Sequence, residues 1–165
     1  MSYEKMIIET KNKMDRRPTL FMMVGIVASG KSTYVEAMLK EVPKLVSVHP
    51  DSIRKELTGN TSDQSQDKRV FELVRERIKE ALKASKNVVY DATNYNRKNR
   101  KDWLTLAKSL GCNTTLIVIK TTFSECRRRN AARKRVVPDF VLDRQIKGYQ
   151  EPSLEDEKVD FIIEC

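Results

Sequence analysis

The stretch GIVASGKST at residues 25–33 limits the fold of this chain more than any other feature. It has the pattern G-x-x-x-x-G-K-[ST] and follows the apolar run TLFMMV. Two glycines in this pattern let the backbone turn so that its N–H groups point at an anion, and a following helix adds the positive end of its dipole. The stretch therefore predicts a strand, a phosphate-binding loop (the P-loop, residues 25–33) and a helix that begins near Lys31.

The side chains of the P-loop predict a nucleoside triphosphate, ATP or GTP, together with Mg²⁺. Lys31 is expected to reach the β- and γ-phosphates, and the Ser32 hydroxyl is expected to bind the metal ion. The predicted cofactor-binding residues of the loop are Gly25, Ser29, Gly30, Lys31, Ser32 and Thr33.

Apolar runs and amphipathic stretches alternate along the chain, which indicates a parallel sheet with helices on both faces. The predicted strands are 19–25, 45–49, 87–91, 114–120 and 159–164. The predicted helices are 31–41, 52–58, 64–85, 96–110, 123–135 and 139–150. The apolar stripe predicted to be core in helix 64–85 is Val70, Phe71, Val74, Ile78, Ala81 and Leu82. Trp103 is also expected in the core. We predict one α/β domain over 19–165, after an N-terminal extension over 1–18.

Composition narrows the possible partners. Lys and Arg outnumber Asp and Glu by 32 to 23, for a formal net charge of +9, which favours an anionic partner such as nucleic acid. No apolar run approaches the roughly 20 residues of a membrane span, and the N-terminal residues are too charged for a signal peptide. The three cysteines have no spacing typical of disulfides or a zinc site. We expect a cytoplasmic protein without a membrane partner.

Polar residues follow the second and third predicted strands, where ligands bind in open α/β sheets. Asp51 begins DSIRKELTG, and its carboxylate is placed to accept the proton of an attacking hydroxyl, although helix N-capping is an alternative role. Arg54 lies on the same helix face and has a planar fork suited to a phosphate. Asp91 ends NVVYD and is a candidate metal ligand and substrate-binding residue. Thr93 and Asn94 are candidate substrate-binding residues, or caps of the next helix.

A basic stretch, FSECRRRNAARKRVVPDF, occurs late in the chain. In a helix, Arg129 and Arg133 would share one face, so they could close over a triphosphate as a lid and stabilise charge on the leaving oxygens. The alternative is a solvated basic helix.

These motifs resemble those of the phage polynucleotide 5′-hydroxyl kinases, within the small P-loop kinases. The resemblance rests on GIVASGKST, HPDSIRKEL, VVYDATNYNRKNRKDW and RRRNAARKRVVPDFVLDRQIKGY. It implies a P-loop kinase fold with a basic helical lid. It also implies that Asp51 is the general base, that Arg54 engages the acceptor's neighbouring phosphate, and that Arg133 contacts the donor phosphates.

Two departures from the family pattern are visible. Val27 and Ala28 stand where the family often has a proline and another glycine. The sequence also contains no DxDGT-type acidic motif, so we expect a kinase without a phosphatase half.

The sequence therefore predicts ATP-dependent phosphoryl transfer to the 5′-hydroxyl of DNA or RNA, as in end repair. Lys31, Asp51 and Arg133 are the predicted catalytic residues. A kinase with a small-molecule or sugar-nucleotide acceptor, including the toxin-type kinases, is one alternative. A nucleotide-binding switch or a nucleic-acid-stimulated ATPase is another, and the alanine that follows Asp91 argues against it because such ATPases usually carry an acidic pair there.

Overall fold

A computed structural model describes residues 3–165, with side chains from residue 4 onward. Residues 1 and 2 of the predicted extension, and the side chain of Tyr3, lie outside the described part. Within it, five strands form one sheet: β1 (Thr19–Val24), β2 (Leu45–Val48), β3 (Asn87–Tyr90), β4 (Asn113–Val118) and β5 (Phe161–Glu164). Their spatial order is β2-β3-β1-β4-β5, and every pairing is parallel. The carboxyl ends of all five strands therefore meet at one edge.

Eight helices accompany the sheet over residues 3–165. They are α1 (Tyr3–Asn12), α2 (Lys31–Glu41), α3 (Pro50–Thr58), α4 (Asp67–Lys83), α5 (Arg97–Ser109), α6 (Phe123–Ala131), α7 (Asp139–Lys147) and α8 (Leu154–Glu157). None of these helices is both long and apolar enough to cross a membrane.

The three central strands, β1, β3 and β4, are buried on both faces, as expected when helices cover a parallel sheet. Successive side chains of β1 point to opposite faces. Leu20 and Met22 pack in a core with α4 and α5, whereas Phe21 and Met23 pack in a second core with α1 and α2. The predicted α/β P-loop fold with a five-stranded parallel sheet is confirmed.

Helix α1 covers the second core. Met6 and Ile7 are buried in it, and the Thr10 hydroxyl lies 3.1 Å from the Tyr34 hydroxyl of α2. The extension therefore packs on the domain rather than standing apart from it.

Two sequence predictions about the helices are wrong. Phe71 does not join the core, because its side chain is 42% exposed while its helical neighbours Val70 and Val74 are fully buried. The basic helix ends at Ala131 and not at 135. Asn130 causes this early end, since its buried amide donates to Val137 O at 2.8 Å and accepts from Val137 N at 3.1 Å, which turns the chain back.

Candidate active site

The P-loop joins β1 to α2 with a backbone that depends on its glycines. A Cβ placed on Gly25 would lie 2.6 Å from Ser29 Oγ, so a side chain there would displace Ser29. Gly30 has φ +108°, a conformation that side chains disfavour. Ala28 also has a positive φ, of +62°, which costs about 1–2 kcal/mol for a residue with a Cβ. The loop is thus held in the strained shape that cradles an anion.

Lys31 is buried beneath this loop. Its Nζ donates to Ile26 O at 2.8 Å and approaches Ser29 Oγ at 3.4 Å. Burial lowers the pKa of Lys31 to about 8; the negative charge of Asp91 opposes this effect, and the positive charge of Arg133 adds to it. Because burial disfavours the charged form of Lys31, a phosphate bound beside Nζ would stabilise the ammonium.

A metal ion has a pair of oxygen donors at this site. The Ser32 hydroxyl and an Asp91 carboxylate oxygen lie 3.5 Å apart, and both residues line the same cavity. Within the described residues no group of three or more His, Cys, Asp or Glu side chains is arranged to bind a metal. This donor set fits Mg²⁺, which commonly uses one or two protein ligands together with phosphate oxygens and water.

A cavity of about 1080 Å³, here called the main cavity, lies at the carboxyl edge of the sheet. Most of the predicted site residues line it: Gly30, Lys31, Ser32, Thr33, Asp51, Asp91, Thr93, Asn94, Arg129 and Arg133. Small-molecule pockets are typically about 300–1,000 Å³, so the main cavity is large enough for a nucleotide-sized ligand.

Asp51 sits in the first turn of α3, directly after β2, and is flanked by two arginines. One of its carboxylate oxygens accepts from Arg54 Nη1, and the other lies 3.6 Å from Arg135 Nη1. Pro50 occupies the first helical position, so the chain enters α3 with its backbone already restricted. The carboxylate is therefore oriented before any substrate arrives.

Arg54 is not among the residues that line the main cavity. Its side chain is only 9% exposed, and its Nε and Nη2 donate to Asp67 at 3.0 and 2.9 Å. Nη1 bonds to Asp51 and lies 3.4 Å from Thr61 O. The guanidinium thus ties Asp51 to the start of α4, and in this conformation its fork is not open to a phosphate.

The loop after β3 is fixed to the P-loop through its backbone. Gly25 N donates to Thr93 O at 3.0 Å, and the Asn94 amide donates to Met23 O at 2.8 Å. The fully buried Arg100 donates from Nη1 to Asn94 O at 2.7 Å and forms a bidentate pair with Glu157, from Nε to Oε2 at 2.8 Å and from Nη2 to Oε1 at 2.5 Å. Asn94 therefore holds the loop, and Thr93 lines the main cavity.

The lid, defined here as residues 123–138, covers the P-loop side of the main cavity. Arg129 lies on α6 and is held by Glu125 at 2.7 Å, and its Nη1 lies 3.5 Å from Ser29 O. Arg133 lies in the turn beyond α6, where Arg133 N bonds to Asn130 O at 3.1 Å. Both arginines line the cavity even though they do not share one helix.

A second cavity of about 360 Å³ lies on the other side of the P-loop. Gly25 and Ser29 border it together with Thr121, Phe123 and Tyr149. The rings of Phe123 and Tyr149 meet edge to face, with their centroids 5.7 Å apart. Gly25 and Ser29 thus face this smaller cavity rather than the main one.

Several residues at or near the main cavity were not singled out as site residues from the sequence, among them Phe71, Arg75 and Arg135. Phe71 and Arg75 line the cavity from α4, and Arg135 reaches Asp51 from the lid. Phe71 and Arg75 are four residues apart, which places them on one helix face. This spacing is the sequence pattern that could have indicated them.

A sequence model of a protein family described as an AAA domain matches residues 20–152, which is most of the chain. The chain belongs to this family. Its fold, with the P-loop between β1 and α2, is the P-loop kinase fold.

The known proteins that are similar to this chain in sequence or structure have names that refer to different activities or complexes. An L-seryl-tRNA(Sec) kinase of Methanococcus maripaludis is 26% identical over 137 residues, which is 81% of this chain and 53% of that protein. The chain thus spans about half the length of this curated relative. The Pnkp1/Rnl/Hen1 RNA repair complex contains a chain that is 24% identical, with a TM-score of 0.75 over 92% of this chain and 49% of that one. A gluconokinase from Sinorhizobium meliloti 1021 is 21% identical, with a TM-score of 0.56 over 91% and 83% of the two chains.

Proposed function

We propose that this protein transfers the γ-phosphoryl group of ATP to the 5′-hydroxyl of DNA or RNA. The observation that carries the proposal is that the Asp51 carboxylate lines the same cavity as Lys31 and Ser32. A P-loop alone serves hydrolysis or switching equally well. The carboxylate of Asp51, placed after β2 at the same edge of the sheet, supplies the proton acceptor that an attacking hydroxyl needs.

On the donor side, the P-loop backbone and Lys31 bind the β- and γ-phosphates, while Arg129 and Arg133 cover them from the lid. Ser32 and Asp91 would hold Mg²⁺, which when bound would supply charge neutralisation for the transferred group. Adenine fits the second cavity, where Phe123 and Tyr149 offer aromatic surface next to the loop. ATP is therefore the proposed donor.

On the acceptor side, Asp51 accepts the proton of the 5′-hydroxyl as its oxygen forms a bond to the γ-phosphorus. The bond from that phosphorus to the β–γ bridging oxygen breaks, and ADP leaves with the electron pair. Arg54 holds Asp51 in position, and the arginines of the lid stabilise the negative charge of the transition state. Asp51, Lys31 and Arg133 are thus the proposed catalytic residues.

A polynucleotide acceptor is favoured by the net charge of +9 and by the cationic side chains around the cavity. The likeness to the RNA repair complex, with a TM-score of 0.75, supports the same class of acceptor. Such an activity also fits a cytoplasmic protein, and the three cysteines are free thiols in the described structure.

A hydroxyl on another molecule is the second candidate acceptor. The 26% identity with a kinase named for seryl-tRNA, and the shared fold of a gluconokinase, favour this possibility. Asp51 and the P-loop would act in the same way, and only the acceptor end of the main cavity would differ.

An acceptor panel tests the proposal. The protein, with Mg²⁺ and γ-labelled ATP, is offered a 5′-hydroxyl DNA oligonucleotide, the matching RNA, a nucleoside, seryl-tRNA and gluconate in parallel. We expect label on the oligonucleotides, and no label on any acceptor with Lys31→Ala. Efficient labelling of seryl-tRNA or gluconate, with none of the oligonucleotides, would overturn the proposed acceptor and leave the kinase assignment standing.

A further inference from the structure

Helix α4 presents one aromatic and one cationic side chain to the main cavity. Phe71 and Arg75 are four residues apart, so they lie one turn from each other on the same helix face. This face is adjacent to the buried stripe of α4, which is formed by Val70, Val74 and Ile78. Neither Phe71 nor Arg75 is part of the buried core.

Phe71 is a large apolar group left in contact with solvent at the cavity wall, with 42% of its surface exposed. Trp103 of α5 lines the same cavity and is partly buried against the core. Its ring packs on Tyr90 with the centroids 5.0 Å apart, so its position is fixed. An exposed phenylalanine and a fixed tryptophan give this end of the cavity flat aromatic surfaces.

Arg75 differs from the other two arginines of α4. Arg69 pairs with Glu72 at 3.2 Å, and Arg77 pairs with Glu56 at 2.5 Å. Among the described residues, no carboxylate lies within ion-pair distance of Arg75, although it borders a cavity that also contains carboxylates. An arginine left unpaired at a cavity wall is available to an anionic ligand.

Arg54 and Arg75 differ in whether their guanidinium groups are available to bind a phosphate of the acceptor. Arg54 is buried and its donors are taken by Asp51, Asp67 and Thr61 O, so releasing it would leave a buried charge without its partners. Arg75 needs no such rearrangement. Arg75 is therefore the arginine of the two that is free to bind a phosphate.

We propose that Phe71 and Arg75 form the subsite for the acceptor's terminal nucleotide. The Phe71 ring stacks on the base of the nucleotide whose sugar carries the reacting 5′-hydroxyl, and Arg75 binds the phosphate on the 3′ side of that sugar. A nucleotide has both the π-face and the anion that this pair matches, whereas a neutral sugar has neither. This inference rests on the proposed function and names the residues that select a polynucleotide.

The test compares acceptors that differ by one group. One pair is a 5′-hydroxyl oligonucleotide and the same strand with an abasic 5′ residue. The other pair is a nucleoside 3′-monophosphate and the bare nucleoside. With wild-type protein we expect a preference of about tenfold or more for the base and for the phosphate, because base stacking and charged hydrogen bonds are of that size.

The variants then separate the two contacts. Phe71→Ala should remove the preference for the base, and Phe71→Trp should keep it. Arg75→Ala should remove the preference for the phosphate and raise the acceptor KM, with little change in kcat at saturation or in ATP binding. Arg69→Ala and Arg77→Ala carry the same loss of charge on the same helix but lie in surface ion pairs, so they should keep both preferences. Arg54→Ala should slow transfer to both members of each pair alike.

Each outcome has one meaning. Wild-type discrimination retained in Phe71→Ala and Arg75→Ala would overturn the subsite while leaving the kinase activity in place. If Arg54→Ala loses the phosphate preference and Arg75→Ala keeps it, the proposed subsite would also be overturned. Arg54 would then be the residue that binds the acceptor phosphate. Failure of the wild-type protein to label any 5′-hydroxyl acceptor would overturn the proposed function, and the subsite with it.

Discussion

Lys31 gives the most quantitative prediction, because its burial beneath the P-loop has a large effect on its pKa. Burial lowers the pKa from the ordinary 10.5 to about 8, so the ammonium is partly deprotonated in mildly alkaline solution. The difference in pKa corresponds to about 3 kcal/mol by which the charged form of Lys31 is disfavoured in the folded protein. A bound triphosphate places negative charge beside Nζ and should bring the pKa back to its ordinary value or above it.

Nucleotide binding should therefore take up a proton. With a pKa of about 8 before binding and about 10.5 or more after it, the expected uptake is about 0.1 proton at pH 7 and about 0.75 at pH 8.5. Affinity should fall as the pH rises above about 8, since an increasing fraction of Lys31 must be reprotonated. Without nucleotide, the unfolded chain holds more protons than the folded one between about pH 8 and 10.5, so the stability contribution of Lys31 rises with pH in that window.

The measurement is calorimetric titration with a non-hydrolysable ATP analogue and Mg²⁺ in buffers of different ionisation enthalpy. The dependence of the observed enthalpy on the buffer gives the number of protons bound. Lys31→Arg is the matched control, because a guanidinium stays protonated throughout this range and should abolish the uptake. No uptake at pH 8.5, or the same uptake in Lys31→Arg, would refute the reasoning.

Three further perturbations have expected outcomes. Asp51→Asn should keep ATP affinity and slow the chemical step by about 10²-fold or more in single-turnover assays, and a loss mainly of ATP binding would place the residue on the donor side. Arg133→Ala should slow transfer to all acceptors by a similar factor, and a loss confined to long polynucleotides would make the lid an acceptor groove. Glu157→Ala should destabilise the fold by about 3–5 kcal/mol in urea titrations because Arg100 would be left buried and unpaired, and unchanged stability would show that the pair does not hold the loop.

The fold could be read from the sequence because its signals are local. The buried strands β1 (TLFMMV) and β3 (NVVY) are largely apolar, and the P-loop pattern fixes the strand, the turn and the helix around it. The short helix α8 was missed, although Ser153 accepts from Asp156 N at 3.2 Å as an N-cap three residues ahead of an acidic residue. The end of α6 was misplaced because it depends on Asn130 and Val137, a contact that neither helix propensity nor periodicity describes.

The cavity brings together the loop, Asp51, Asp91 and the arginines of the lid, as their positions after parallel strands predict. The partners of Arg54 were not predictable in the same way. Asp67 lies 13 residues further on, across an irregular connection, and its approach to Arg54 depends on how α4 packs on α3. Phe71 was assigned to the core for a related reason, since periodicity shows which residues share a face but not whether a cavity opens beside that face.

The central claim is that this site passes a phosphoryl group to a hydroxyl rather than to water. Its most direct test follows the label from γ-labelled ATP in a single turnover with a 5′-hydroxyl oligonucleotide, and counts it in the oligonucleotide and in free phosphate. We expect most of the label at the 5′ end of the oligonucleotide, and in Asp51→Asn we expect this transfer to slow by about 10²-fold or more without a matching rise in free phosphate. Label that appears chiefly as free phosphate, at a rate independent of any acceptor, would contradict the account and identify a hydrolase.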